Sequence, residues 1–178
     1  VLKLESFILH TSKNTANLQD YGAAGDCQVN AVCPASINSQ LSAASTRILW
    51  VNGNIAGWYT GSLVNNTAGD FKPYILSAEH CALAGSSLVS ANDLSRWVFF
   101  FNYRDSNCLG PNQESDLPSQ QIIGASLRAH SDDNGGDFGS DFLLLELNQK
   151  VPESFSPYYA GWNRSGILSG RGECFHHP

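Results

Sequence analysis

From Thr46 onward, short runs of β-branched, aromatic and aliphatic residues alternate with clusters of Asn, Gly, Asp and Pro. The runs cover 46–51, 56–64, 73–78, 97–103, 122–128 and 142–147. Each has the length and composition of a strand, and the polar clusters between them carry turn chemistry. No segment repeats its apolar residues with helical spacing; 79–84 has room for a single turn. Six strands in about 100 residues predict a closed barrel or a sandwich. The expectation is an all-β fold, a six-stranded antiparallel barrel over residues 46–147, with Trp97, Phe99 and Phe101 facing inward on alternate positions. Residues 104–119 and 131–140 read as long polar loops.

Outside the barrel the pattern changes. Residues 1–26 are polar and end in a glycine-bearing stretch, 21–26, as expected of a leader or arm. After residue 147 a proline-bearing connector, 149–157, leads to 158–163 and 172–178, which read as the opening strands of a second barrel. An unfinished sheet would leave unpaired backbone edges, so the protein is expected to continue past Pro178.

Composition narrows the class. The 178 residues are 42% apolar and 15% charged, as in soluble globular proteins. A chain of this length buries about 70% of its unfolded surface, enough for a core without metal or dense cross-linking. A net charge of −6, with ten Lys and Arg thinly spread, offers no footprint for phosphate backbones or anionic lipid. Neither nucleic acid nor membrane is an expected partner. The chain contains no methionine and its first ten residues are not an intact signal peptide, so Val1 is expected to lie inside a longer product. The five cysteines, Cys27, Cys33, Cys81, Cys108 and Cys174, include no CxxC pair. That usage fits disulfides in an oxidising compartment, and the odd number leaves at least one without a partner in this chain.

The sharpest local signal is the apolar strand Pro73-Tyr74-Ile75-Leu76-Ser77-Ala78 running into Glu79-His80-Cys81, a His-Cys pair at a turn. It resembles the histidine motif of trypsin-fold serine proteases. Upstream, Gly61-Ser62-Leu63-Val64 resembles the strand that precedes that histidine. Downstream, Ser140-Asp141-Phe142-Leu143-Leu144-Leu145 resembles the aspartate motif, in the right order. The cysteine spacing Cys27 to Cys33, Phe100-Phe101-Asn102-Tyr103 with Cys108, Tyr159-Ala160-Gly161-Trp162-Asn163-Arg164 and His176-His177-Pro178 are similar to the bacterial lysyl endopeptidase family, over residues 22–178.

The resemblance implies a secreted bacterial serine endopeptidase acting on protein or peptide substrates after lysine; a monomer without cofactor or metal is expected. A serine hydroxyl is a weak nucleophile, so a histidine must take its proton and return it to the leaving amine. His80 matches that role. Asp141 matches the carboxylate that orients the imidazole. A Gly-x-Ser-Gly-x-Pro-like nucleophile segment does not occur in these residues; Ser62, Ser86, Ser87 and Ser165 do not sit in one. The expected organisation is a leader or propeptide remnant at 1–21, the His- and Asp-bearing barrel at 22–150, and a linker with the start of a second barrel at 151–178, cut off before the serine.

The family pattern also implies a Cys33–Cys108 bridge and a partner for Cys27 in the second barrel. Where it has a cysteine bridging the Gly-Ser-Leu strand to the position of Cys81, this chain has Tyr59. Cys81 thus loses its partner, burial around Tyr59 offering partial compensation. Cys174 has no family counterpart and is expected either as a small buried residue or as a partner of Cys81. Glu79 is adjacent to His80 in sequence but diverges from it in direction, and is expected to be solvated. His176 and His177 point to opposite faces of an extended segment, so a structural role outweighs a metal. Residues 132–137 have oxygen ligands but lack the trailing glutamate of a calcium loop, so a plain turn is expected. Asn65-Asn66-Thr67 and Asn163-Arg164-Ser165 are formal glycosylation sequons, without meaning in a bacterial protein. The rival reading is a non-catalytic pseudoprotease or β-barrel binding module, to which the His80–Asp141 pair would be of no use.

Overall fold

The computed structural model describes residues 28–33, 40–108, 120–133, 139–165 and 173–177. The strands among these residues are β1 (Ser45–Asn52), β2 (Ile55–Val64), β3 (Tyr74–Ala78), β4 (Leu83–Ala84), β5 (Ser87–Leu88), β6 (Val98–Phe101), β7 (Gln121–Ile123), β8 (Ala125–His130) and β9 (Phe142–Leu147). A single helical turn, α1 (Ala91–Leu94), is capped by the Ser90 hydroxyl, which accepts from the Asp93 amide. Among the described residues no helix is long and apolar enough to cross a membrane.

Seven strands form one curled antiparallel sheet in the order β7-β6-β1-β2-β3-β9-β8, and β4 and β5 make a small separate hairpin. β1 and β2 turn through Gly53 and Asn54, with Gly53 at φ 57°, a conformation that suits glycine. The predicted strand 122–128 is broken in two at Gly124. There φ is 86°, the Gly124 amide donates to the Trp97 carbonyl at 2.8 Å, and the Gly124 carbonyl accepts from Asn148 N at 3.0 Å. The half before the break pairs with β6 at one edge of the sheet and the half after it pairs with β9 at the other. One bent strand therefore serves both edges, which is how the six predicted strands curl into a barrel without a long free edge.

The barrel interior is filled by Ile48, Leu63, Ile75, Trp97, Phe99, Phe101, Leu143 and Leu145, each at most 2% exposed. Trp97, Phe99 and Phe101 are buried as the alternation predicts. Val98, between them, is buried as well, so the start of β6 is covered on both sides. The Trp97 indole donates to the Val51 carbonyl at 2.9 Å, satisfying the ring's polar atom in the core. The Cys33–Cys108 bridge is formed and ties the N-terminal segment to the loop after β6.

Beyond β9 the described residues hold a 3-10 turn, Glu153–Phe155, and one isolated parallel bridge of Ala160 to Val64. Residues 173–177 dock on the barrel through His177, whose amide donates to Thr60 Oγ1 at 2.8 Å and whose ring Nε2 donates to the Tyr103 carbonyl at 3.0 Å.

Candidate active site

The site is built by the register of β3 and β9. Ala78 faces Phe142 across the ladder, so the residue after Ala78 and the residue before Phe142 meet at the sheet's end. Glu79 N donates to the Asp141 carbonyl at 2.9 Å, adding one more rung. There β3 tightens into the 3-10 turn Glu79–Ala82, which lifts His80 out of the sheet. The Asp141 carboxylate then holds His80 twice. Oδ1 accepts from the His80 amide at 2.9 Å, and Oδ2 meets ring Nδ1 at 2.5 Å. The two residues that the motifs single out 61 positions apart thus share one hydrogen-bonded pair, with the imidazole side chain 61% exposed and the carboxyl 22%.

Asp141 sits at φ 45°, a left-handed conformation that is costly for a residue with a Cβ. Asp133 holds it there. Its Oδ2 accepts from the amides of Ser140 and Asp141 at 2.8 and 3.2 Å. Burial acts to raise the Asp141 pKa, but the hydrogen bonds from the His80 amide and ring, together with the His80 charge, outweigh it and hold the carboxyl below its ordinary value. With a carboxylate on Nδ1, the neutral ring carries its proton there, which leaves the lone pair on Nε2.

Glu79 corrects the sequence expectation. It is buried, 1% exposed, rather than solvated. Its side chain does diverge from the His80 ring, but it turns into the loop that follows β8. Oε1 accepts from His130 Nδ1 at 2.6 Å and Asp132 N at 3.1 Å; Oε2 accepts from Ser131 Oγ at 2.7 Å and Asp133 N at 3.2 Å. These bonds, led by that from Ser131, hold Glu79 below its ordinary pKa. Donors from residues 130–133 make an inward carboxylate favourable where local sequence offers none. Glu79, His130 and Asp132, and separately Glu79, Asp133 and Asp141, bring three potential ligand atoms within 4.8 Å of one another. Protein donors engage both Glu79 oxygens.

Tyr59 links the two segments that the family pattern joins by a disulfide. Its hydroxyl donates to the Cys81 carbonyl at 2.6 Å, linking β2 to the His80 turn, and its ring packs edge-on to Trp97 at 5.7 Å. Burial pushes the phenol's pKa well up, so it remains a donor. Cys81 and Cys174 are both free thiols. Cys174 is exposed, which corrects both expectations for it, a buried residue and a partner of Cys81. The Cys81 sulfur instead lies 3.4 Å from His80 Nε2. His177 has the structural role expected: burial, first of all, pulls its pKa down to about 4. Exposed His176 meets Gln28 at 3.2 Å. Cys27 and residues 134–137 of the acidic turn lie outside the described residues.

Comparison with known proteins agrees with the pattern of motifs. The lysyl endopeptidase of Pseudomonas aeruginosa is 27% identical over 165 residues, covering 89% of this chain and 33% of that protein. The chain spans about a third of the length of that relative. Residues 21–178 match the family described as lysyl endopeptidase, C-terminal domain. A match over most of the chain, joined to an all-β curled sheet with His80 and Asp141 paired at its end, makes this chain a member of the lysyl endopeptidase family.

Proposed function

We propose that this chain carries the base and the orienting carboxylate of a serine-type endopeptidase, His80 and Asp141, and that the nucleophile lies in a segment outside these 178 residues. The observation that carries the reading is the double hold of Asp141 on His80, with the amide at 2.9 Å from one carboxylate oxygen and ring Nδ1 at 2.5 Å from the other. That arrangement fixes the tautomer a general base needs and stabilises the imidazolium that forms when Nε2 takes a proton. Protein or peptide chains are the substrates of this reading, with cleavage after lysine carried over from the family. A secreted location is compatible with the Cys33–Cys108 bridge.

The test is kinetic. The 178 residues alone are expected to give no continuing turnover of a lysyl ester or peptide, because their sequence holds no Gly-x-Ser-Gly-x-Pro-like nucleophile segment. In the longer parent protein, Asp141→Asn is expected to lower kcat about 10^4-fold, with a smaller change in KM. Turnover by the isolated chain, or a parent enzyme indifferent to Asp141→Asn, overturns the reading. Peptide-library cleavage by the parent protein, read at the residue before the cut, checks the lysine preference.

A further inference from the structure

The Cys81 thiol lies on the atom of His80 that a serine protease uses to take its nucleophile's proton. Asp141 Oδ2, His80 Nδ1 and Nε2, and Cys81 Sγ follow one another at 2.5 and 3.4 Å. This is a carboxylate–imidazole–thiol series in which each member faces the next. Cys81 is free and only half-buried, and the 61% exposure of the His80 side chain leaves the mouth of the pair open to solvent. The backbone under the sulfur does not drift, because Tyr59 holds the Cys81 carbonyl at 2.6 Å. With the Nδ1 proton committed to Asp141, Nε2 accepts and the thiol donates.

We infer that Cys81 is a second, thiol nucleophile of this chain, served by the Asp141–His80 base and able to accept an acyl group from an activated ester. The inference rests on the base reading of His80 and adds a nucleophile which that reading does not contain. In the step, the Cys81 sulfur bonds to the acyl carbon while its proton passes to His80 Nε2. The C–O bond then breaks, the alkoxide leaves, and the imidazolium proton goes to it. The products are a Cys81 thioester and an alcohol, with no change of oxidation state. Assistance is required: burial, and then the nearby Asp141 charge, push the thiol up to about 11, so at neutral pH it is a thiol and not a thiolate. The ionisable groups facing the pair are Asp141 at the start of β9, Asp133 behind it and Tyr59 from β2. Glu79 is turned into the loop after β8.

The probe is p-nitrophenyl acetate, applied to the whole chain with Cys27→Ser and Cys174→Ser to leave Cys81 as the free thiol. One equivalent of p-nitrophenolate per chain is expected, with one acetyl group on the peptide containing Cys81, and Cys81→Ala is expected to lose both. His80→Gln is expected to slow acetylation about 100-fold, the scale of general-base assistance. The pH profile of His80→Gln is expected to follow only the thiol's own ionisation at about 11, and that of the unsubstituted His80 chain to differ from it. Acetylation of Cys81 at equal rates with and without His80, or acetylation elsewhere in its place, overturns the proposal. A downfield proton resonance from His80 Nδ1 separates the two readings. If it is present while Cys81 stays inert, the thiol proposal falls and the base pair stands. If it is absent in the unsubstituted chain, the base reading falls with it.

Discussion

At the scale of single residues, the His80 turn is held by bonds whose partners are far apart in sequence. Tyr59 stands where the family pattern has a disulfide cysteine, and its hydroxyl supplies a hydrogen bond to the Cys81 carbonyl instead. Tyr59→Phe keeps the ring against Trp97 and removes that bond, so it is expected to cost about 1 kcal/mol in a urea titration, more if the carbonyl is left dry. His80 and Asp141 were legible because their motifs are local: an apolar strand entering a His-Cys turn, and an aspartate at the head of another. Glu79 was not. Divergence from its neighbour is a local rule and held, but its destination depends on donors 51–54 residues away, from His130 to Asp133. The same non-local contacts give the site an acid limit. Glu79, Asp133 and Asp141 all have folded pKa values below their ordinary 4.5, 3.8 and 3.8. A carboxylate depressed in the fold contributes stability that is present above its unfolded pKa and is lost as pH falls through the folded one. The His80–Asp141 contact is therefore expected to survive down to about pH 4 and to weaken below it. Following the Nδ1 proton resonance and the urea midpoint from pH 6 to 2 checks this; a loss beginning above pH 5 contradicts it.

At the scale of elements, Gly124 explains the difference between the predicted strand 122–128 and the observed β7 and β8. The apolar alternation runs through the glycine, so periodicity reads one strand. A glycine inside a strand pattern is itself a signal of a bulge or close approach. Both features are present: φ is 86°, and a Cβ at that position would lie 2.5 Å from Asn148 Nδ2 and 2.9 Å from the Ser95 carbonyl. Asn148 can swing away, whereas the Ser95 backbone is fixed by α1 and its capping bonds. Gly124→Ala is expected to destabilise the chain by at least ~2 kcal/mol, combining the left-handed backbone with that clash. Urea denaturation measures it, and a lowered denaturation midpoint is the expected readout. The hairpin of β4 and β5 was not legible, since two-residue strands leave no period to detect. The six longer runs were, because each is half of a barrel wall and must alternate or be wholly apolar.

At the scale of the whole molecule, two long-range ties hold the barrel's flanking segments. The Cys33–Cys108 bridge closes a separation of 75 residues, and Cys33→Ser with Cys108→Ser is expected to cost about 2–4 kcal/mol, read as a lowered urea midpoint. The second tie is the docked segment 173–177, and it is built to fail in acid. His177 stacks edge-on to Tyr103 at 5.8 Å and donates to the Tyr103 carbonyl, while its amide is held by Thr60. Buried Arg47 lies over the Tyr103 and Trp58 rings at 4.3 and 4.1 Å. Burial first, and then the Arg47 and His176 charges, disfavour a second proton on the ring. They outweigh the Tyr103 hydrogen bond and bring His177 from its ordinary 6.5 down to about 4. The undocked segment binds that proton more readily than the docked one, so docking is fully favoured above pH 6.5. It is progressively lost as pH falls toward 4. Hydrogen-exchange protection at residues 173–177, taken relative to the intrinsic rate at each pH, is expected to fall across that window, before the Asp141 contact gives way. His177→Asn is expected to flatten the dependence. A His177 ring resonance that titrates at its ordinary value, with exchange protection unchanged across the window, shows that the imidazole is not held in the docked form.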